Sequence, residues 1–134
     1  MDEEGDEMTR EFLESLRRLV LYIKAEETEL KKLENELTSP QGLNTDVKVQ
    51  SSGYEWESKM AEFCDRKERL EAKKAEADCM KQEAEKIYEQ FGEDSIMLRC
   101  RFSRGYTWEN VIKEMPYDER TVWRHWRKVR RKLR

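Results

Sequence analysis

The sequence predicts an all-α protein: a long antiparallel helical hairpin, coiled-coil-like, followed by a small C-terminal helix-turn-helix domain. Three observations carry this expectation. Charged residues make up 43% of the chain and hydrophobic ones 37%, a balance that suits long solvated helices better than a compact α/β core. Only five Gly and two Pro interrupt 134 residues, which leaves few positions for tight turns. Apolar residues also recur at heptad spacing through most of the N-terminal part.

The first apolar stripe is Phe12, Leu16, Leu19, Ile23, Leu30, Leu33 and Leu37, in alternating steps of three and four, interrupted where Glu26 takes the expected slot. Pro40 and Gly42 continue a helix poorly and should end it, and residues 39–53 read as a polar, mobile connection. A second stripe starts near Trp56 and runs through Phe63, Leu70, Ala77, Ala84 and Phe91 at strict sevens, with Met60, Met80 and Ile87 filling in. The two seams fit each other across a hairpin covering residues 1–92, with its loop near 39–54. Such seams are packing surface rather than a cofactor site. Two helices alone cannot cover both sides of their stripes, so a homo-oligomer through the long helices is expected. Runs such as "EAEKIYEQ" read as solvated faces with weak i,i+4 pairs.

Residues 93–134 have a different character. "DSIMLRCRFSRG" reads as a short helix with Asp94 as its cap and Gly105 as its stop. Thr107 can cap "WENVIKEM", in which Trp108, Val111, Ile112 and Met115 share a face. Pro116-Tyr117 breaks that helix, and Asp118 caps a last one with Val122, His125 or Trp126, Val129 and Leu133 inward. A short helix, a tight turn and a longer basic helix form a helix-turn-helix pattern.

Charge follows the same division. Residues 99–134 carry twelve Lys/Arg and four Asp/Glu, a net of +8, which leaves −11 for residues 1–98 of a chain whose total is −3. Eight of the basic residues lie between Arg120 and Arg134. The helix dipole favours cations in a last turn, but it does not account for a helix that is basic along its whole length. Duplex DNA is the partner such a helix suits.

Other classes have little support. The acidic N-terminus and the lack of a long apolar run argue against a secretory signal or membrane span, so a cytoplasmic location is expected. Cys64, Cys79 and Cys100 are odd in number and lack CxxC spacing, so they read as small buried or half-buried apolar residues rather than disulfide or zinc positions. No phosphate-binding Gly-rich loop, HExxH or Ser-His-Asp set is present, so no enzyme activity, cofactor or metal is expected. His125 reads as a partly buried helix residue, not a ligand or base.

The stretch "MLRCRFSRGYTWENVIKEMPYDERTVWRHWRKVRRKL" resembles the C-terminal domain of bacterial sigma factors that binds the −35 promoter element. It is closer still to small phage-encoded sigma-like late-gene transcription regulators, whose tails are similar to "LRYxxGxTWEEIAExxGYSxRTVYRxHxxxLxxL". Gly105 with "TWENV" and "YDERTVWR" at the matching separation are its most specific parts. Pro116 departs from the pattern, standing where the turn usually has Gly. The backbone there must turn without a left-handed residue. The resemblance implies a phage-type regulator that binds promoter DNA and contacts host RNA polymerase to activate late genes. Glu119, Arg120, Trp123 and Arg124 match the positions that face bases, and Arg127, Lys128 and Arg131 suit phosphates. Two alternatives stay open: a viral DNA-packaging recognition subunit similar to small terminase proteins, and a coiled-coil interaction module whose basic tail binds an acidic protein.

Overall fold

A computed structural model describes the backbone of residues 2–38 and 49–133 and the side chains of residues 9–38 and 55–133. Among the described residues every regular element is helical. Helix α1 spans Asp2–Thr38 and α2 spans Val49–Tyr88. A 3-10 segment, Glu89–Asp94, leads into α3, Ser95–Leu98, which runs on as a π turn over Arg99–Ser103. Helices α4, Trp108–Glu114, and α5, Glu119–Lys132, complete the chain. The stop expected at Pro40 and Gly42, and the connection as far as residue 48, lie outside the described residues. Helix α2 begins at Val49 rather than near Trp56; extending an existing helix through polar residues costs little once a packed portion has nucleated it.

Two compact units are present, Met1–Leu21 with Glu76–Arg134, and Tyr22–Ala75. The compositional break near residue 92 falls inside the first of them. In the second, the contacts between α1 and α2 run in opposite senses. Trp56 Nε1 donates to the Leu37 carbonyl at 3.2 Å, Lys59 faces Glu36, and Arg66 and Lys74 reach back to Glu26 and Glu27 at 2.7 and 3.0 Å. Ile23, Leu30, Leu37 and Leu70 are buried between these polar pairs. Glu26, the residue that interrupts the apolar stripe, therefore has a partner on the facing helix. Arg66 donates Nε to its carboxylate, and that hydrogen bond, with the guanidinium charge, holds the carboxyl below its ordinary value of 4.5. A charged pair inside an apolar seam penalises any shifted alignment that would leave either charge alone.

The first unit holds the larger core. Leu13, Leu16 and Val20 of α1 and Ala84 and Tyr88 of α2 join Met97, Leu98, Cys100, Phe102, Val111, Met115, Val122, Val129 and Leu133 in one buried cluster. Here the strict a/d stripe mispredicts. Leu13 and Val20 are buried, while Phe12 and Leu19 are only half-buried, because α1 meets the small helices as well as α2 and needs a wider apolar face than a two-stranded seam. On α2 the sevens hold at Leu70, Ala77 and Ala84, but Tyr88 takes the buried place and Phe91 and Phe63 are half-buried. Trp56 stays 42% exposed. The Tyr88 hydroxyl is hydrogen-bonded to Ser103 Oγ at 2.9 Å, and burial pushes its pKa up to about 12.

The expected small buried cysteines divide. Cys100 is buried and its thiol is pushed up by that burial. Cys64 and Cys79 are exposed, since each sits just off the seam positions Phe63 and Ala77. Among the described residues no group of His, Cys, Asp and Glu could hold a metal ion, and no described helix is long and apolar enough to cross a membrane.

Gly105 ends the π turn in the left-handed region at φ 71°. Arg104 N donates to the Arg99 carbonyl at 2.9 Å and Tyr106 N to the Cys100 carbonyl at 3.0 Å, closing the helix end. A Cβ at this position would lie 3.1 Å from Val20 Cγ1 and 3.3 Å from Leu21 Cδ2. The site thus needs both glycine's conformation and its lack of a side chain.

Two outcomes follow from these contacts. Gly105→Ala should lower the free energy of unfolding by about 1–3 kcal/mol, measured by chemical denaturation, because it combines left-handed strain with a close approach. Glu26→Gln should alter stability in a pH-dependent way. The folded carboxyl has a depressed pKa, so its contribution is present above the ordinary value of 4.5 and is lost as pH falls through the depressed one. Wild-type and Glu26→Gln unfolding curves should therefore differ at neutral pH and converge in acid; a constant difference across that range would remove the pair from the stability of this unit.

Candidate nucleic-acid interface

The candidate surface is built on α5 and the turn before it. Asp118 lies in extended backbone at the N-cap, and its side chain accepts from the Thr121 amide at 3.0 Å and from the Thr121 hydroxyl. These hydrogen bonds hold the Asp118 carboxyl below the usual carboxylate range and leave a charged cap at the positive helix end. One helix earlier in the chain, Thr107 Oγ1 accepts from the Asn110 amide and starts α4. Both caps are those the sequence predicts. Between the helices Met115 is extended, at φ −84° and ψ 147°, as a residue preceding proline prefers. Among the described residues only Gly92 and Gly105 have positive φ, so the turn at Pro116 is made without a left-handed residue, as its lack of glycine requires.

Helix α5 has two opposed faces. Val122, Val129 and Leu133 are buried at 0 to 1% exposure, and the 3.6-residue period places Arg120, Arg124, Arg127, Lys128 and Arg131 on the other side. All five are exposed. None of them forms an ion pair among the described residues. Arg124, Arg127, Lys128 and Arg131 flank a shallow groove that also touches His125. The groups expected to meet phosphates are thus gathered on one free face together with Arg120 and Arg124.

Glu119 and Trp123 are placed differently. Trp123 is half-buried, its ring packs on Trp108 with centroids 5.0 Å apart, and its Nε1 donates to Glu119 Oε1 at 3.4 Å. One side of the indole is occupied within the protein, so only its outer part is available to a partner. Trp126 also packs on Trp108, at 4.8 Å, and on Phe102 at 6.1 Å. Both His125 and Trp126 are half-buried, so the inward position is shared.

Asp94 does not cap α3. No side-chain hydrogen bond is made at that helix start, and the Asp94 carboxylate instead lies 2.8 Å from His125 Nδ1. The His125 ring stacks on Tyr117, with centroids 4.8 Å apart and planes 14° from parallel. His125 therefore clamps α5 to the 3-10 segment and to the turn. Arg99 adds a second clamp, donating Nε and Nη2 to both oxygens of Glu85 on α2 at 2.9–3.0 Å. The sequence reading missed Arg101, whose guanidinium lies 4.8 Å over the Trp108 ring. It also missed Arg10, Arg17 and Arg18 of α1, which line a cavity with Arg101, Trp108 and Trp126. The signal was present: these arginines stand seven and eight residues apart on an acidic helix, a spacing that shares a face. Comparison with protein families, curated proteins and solved structures finds no match to this chain.

Proposed function

We propose that this chain is a sequence-specific DNA-binding transcription regulator of phage type, in which a helical hairpin carries a C-terminal helix-turn-helix. The observation that carries the reading is the free basic face of α5, five cationic side chains opposite a buried apolar face. Clamped at His125 and packed through Trp126, the helix presents that face on a rigid support, which suits insertion into a major groove. Arg120 and Arg124, nearest the helix start, are in position to read base edges, each able to address O6 and N7 of a guanine. Arg127, Lys128 and Arg131 neutralise phosphates. Glu119 accepts from Trp123 Nε1, and with the indole packed on Trp108 only its outer edge is offered beside them.

The acidic helices provide the surface for self-association and for contact with host RNA polymerase, through which a bound regulator activates late genes. Separating acidic and basic parts along the chain keeps the acidic helices off the DNA. The resemblance that suggests this role rests most on Gly105 with "TWENV" and on "YDERTVWR" at the matching separation.

Titration against a cognate duplex and a scrambled one at several salt concentrations tests the reading. Engagement of about four to six phosphates should give a log-log salt slope near −4 to −5 per protomer. Arg124→Ala should cost about 1–3 kcal/mol on the cognate site and relax preference at one base pair. Arg131→Ala, farther along the helix, should weaken all duplexes nearly equally and reduce the slope by about one. A slope near zero would remove DNA binding, and exchanged behaviour of the two variants would reverse the orientation of α5.

A further inference from the structure

A second concentration of positive charge lies off the exposed face of α5. Within the first unit, a half-open pocket of about 340 Å³ is lined by residues of α1, the π turn, α4 and α5. Arg17, Arg101 and Arg130 reach it from three elements, and Trp108 and Trp126 form part of its wall. Arg10 and Arg18 bring the guanidinium groups to five, against the single carboxylate of Glu14. Arg10 Nε shares that carboxylate at 3.5 Å, and Arg18 is turned toward Ser15 Oγ.

The charges at the centre are poorly compensated. Arg17 Nε is buried and has no hydrogen-bond partner among the described residues. Arg101 donates Nη1 to the Tyr106 carbonyl at 3.1 Å and rests on Trp108, yet burial and the nearby charge of Arg17 both lower its pKa, with only Glu14 acting against them. Gathering like charges and an unsatisfied donor in a partly desolvated space is unfavourable unless an anion occupies it. The donors approach from several sides, which suits a tetrahedral group with several acceptor oxygens better than one planar carboxylate.

We propose that this cavity, lined by Arg17, Arg101 and Arg130 against Trp108 and Trp126, binds the phosphate of a small phosphorylated ligand. Its volume falls in the range of small-molecule sites. The donors belong to α1, the π turn and α5, so the bound anion bridges the N-terminal helix and the helix that carries the basic face. Occupancy draws these elements together and favours the packed arrangement of the first unit. The site stands on side chains other than those assigned to DNA, and it holds whether or not α5 binds a duplex.

Inorganic pyrophosphate titrated into the full chain is the probe, read by calorimetry, by the fluorescence of Trp108 and Trp126, and by the thermal midpoint. Saturable one-to-one binding and a raised midpoint are expected. Arg17→Gln and, at an exposed position, Arg130→Gln should each weaken binding by about tenfold, as loss of a charge-assisted contact does. A Lys128→Gln/Arg131→Gln variant should bind pyrophosphate as the wild type does. The proposal is overturned if binding is absent, if acetate binds equally well, or if both single variants retain wild-type affinity. Displacement of pyrophosphate by duplex, molecule for molecule, would assign the cavity to the DNA backbone and overturn it also.

Discussion

Everything in the first unit depends on one burial: the apolar faces of α3, α4 and α5 close onto Leu13, Leu16 and Val20 of α1 and Ala84 and Tyr88 of α2. Three helices this short cannot cover Val111, Val122, Val129 and Leu133 by themselves, because small assemblies bury too little of their own surface. The long helices supply the missing half of the core. Gly105 permits the close approach to α1, the Ser103 hydroxyl satisfies Tyr88 inside it, and Arg99 ties the π turn to Glu85 at its edge. The Tyr88 hydroxyl is thus satisfied within the cluster and the Arg99–Glu85 pair lies at its margin; both fix alignment while the apolar cluster supplies stability.

Charge is used in two ways along the same chain. In the second unit Glu26 and Arg66 sit inside an apolar seam, where removing either would take away the other's partner on the facing helix. On α5, Arg120, Arg124, Arg127, Lys128 and Arg131 face solvent and form no ion pair among the described residues. Pairs that close on themselves specify a packing, whereas charges left open remain available to solvent and to other molecules. The tryptophans mark the border between the two regimes: Trp108 carries Arg101 on one side and packs against Trp123 and Trp126, so the aromatic cluster is both the floor of the basic helix and a wall of the arginine-lined cavity.

Much of this was legible from residue spacing, and the failures share a cause. The all-helical class, the caps at Thr107 and Asp118, the stop at Gly105 and the inward set Val122, Val129 and Leu133 all follow from local rules of capping and period, and local rules act on a few neighbouring residues. What spacing missed required knowledge of a third element. Leu13 and Val20 are buried because α1 has neighbours on two sides. Asp94 abandons its cap because His125 arrives from α5, thirty-one positions away. Glu26 interrupts a stripe until Arg66 is seen across from it. On the candidate surface, the exposed arginines could be ordered on a helix from sequence, but the withdrawal of Trp123 toward Trp108 could not, since it depends on where α4 docks.

The make-up of the first core also bears on the order in which the protein is made. Its members are distant in sequence: Leu13 and Leu133 stand 120 positions apart. A growing polypeptide has the whole of Tyr22–Ala75 available while α5 is still unsynthesised, so the second unit can assemble first. Leu13, Leu16 and Val20 must meanwhile wait with an uncovered face, and contacts between residues so distant in sequence form slowly because a long loop must close. The last turn of α5 therefore closes a core whose other half, on α1, was made more than a hundred residues earlier, and the basic helix acquires its rigid support only once Leu133 is in place.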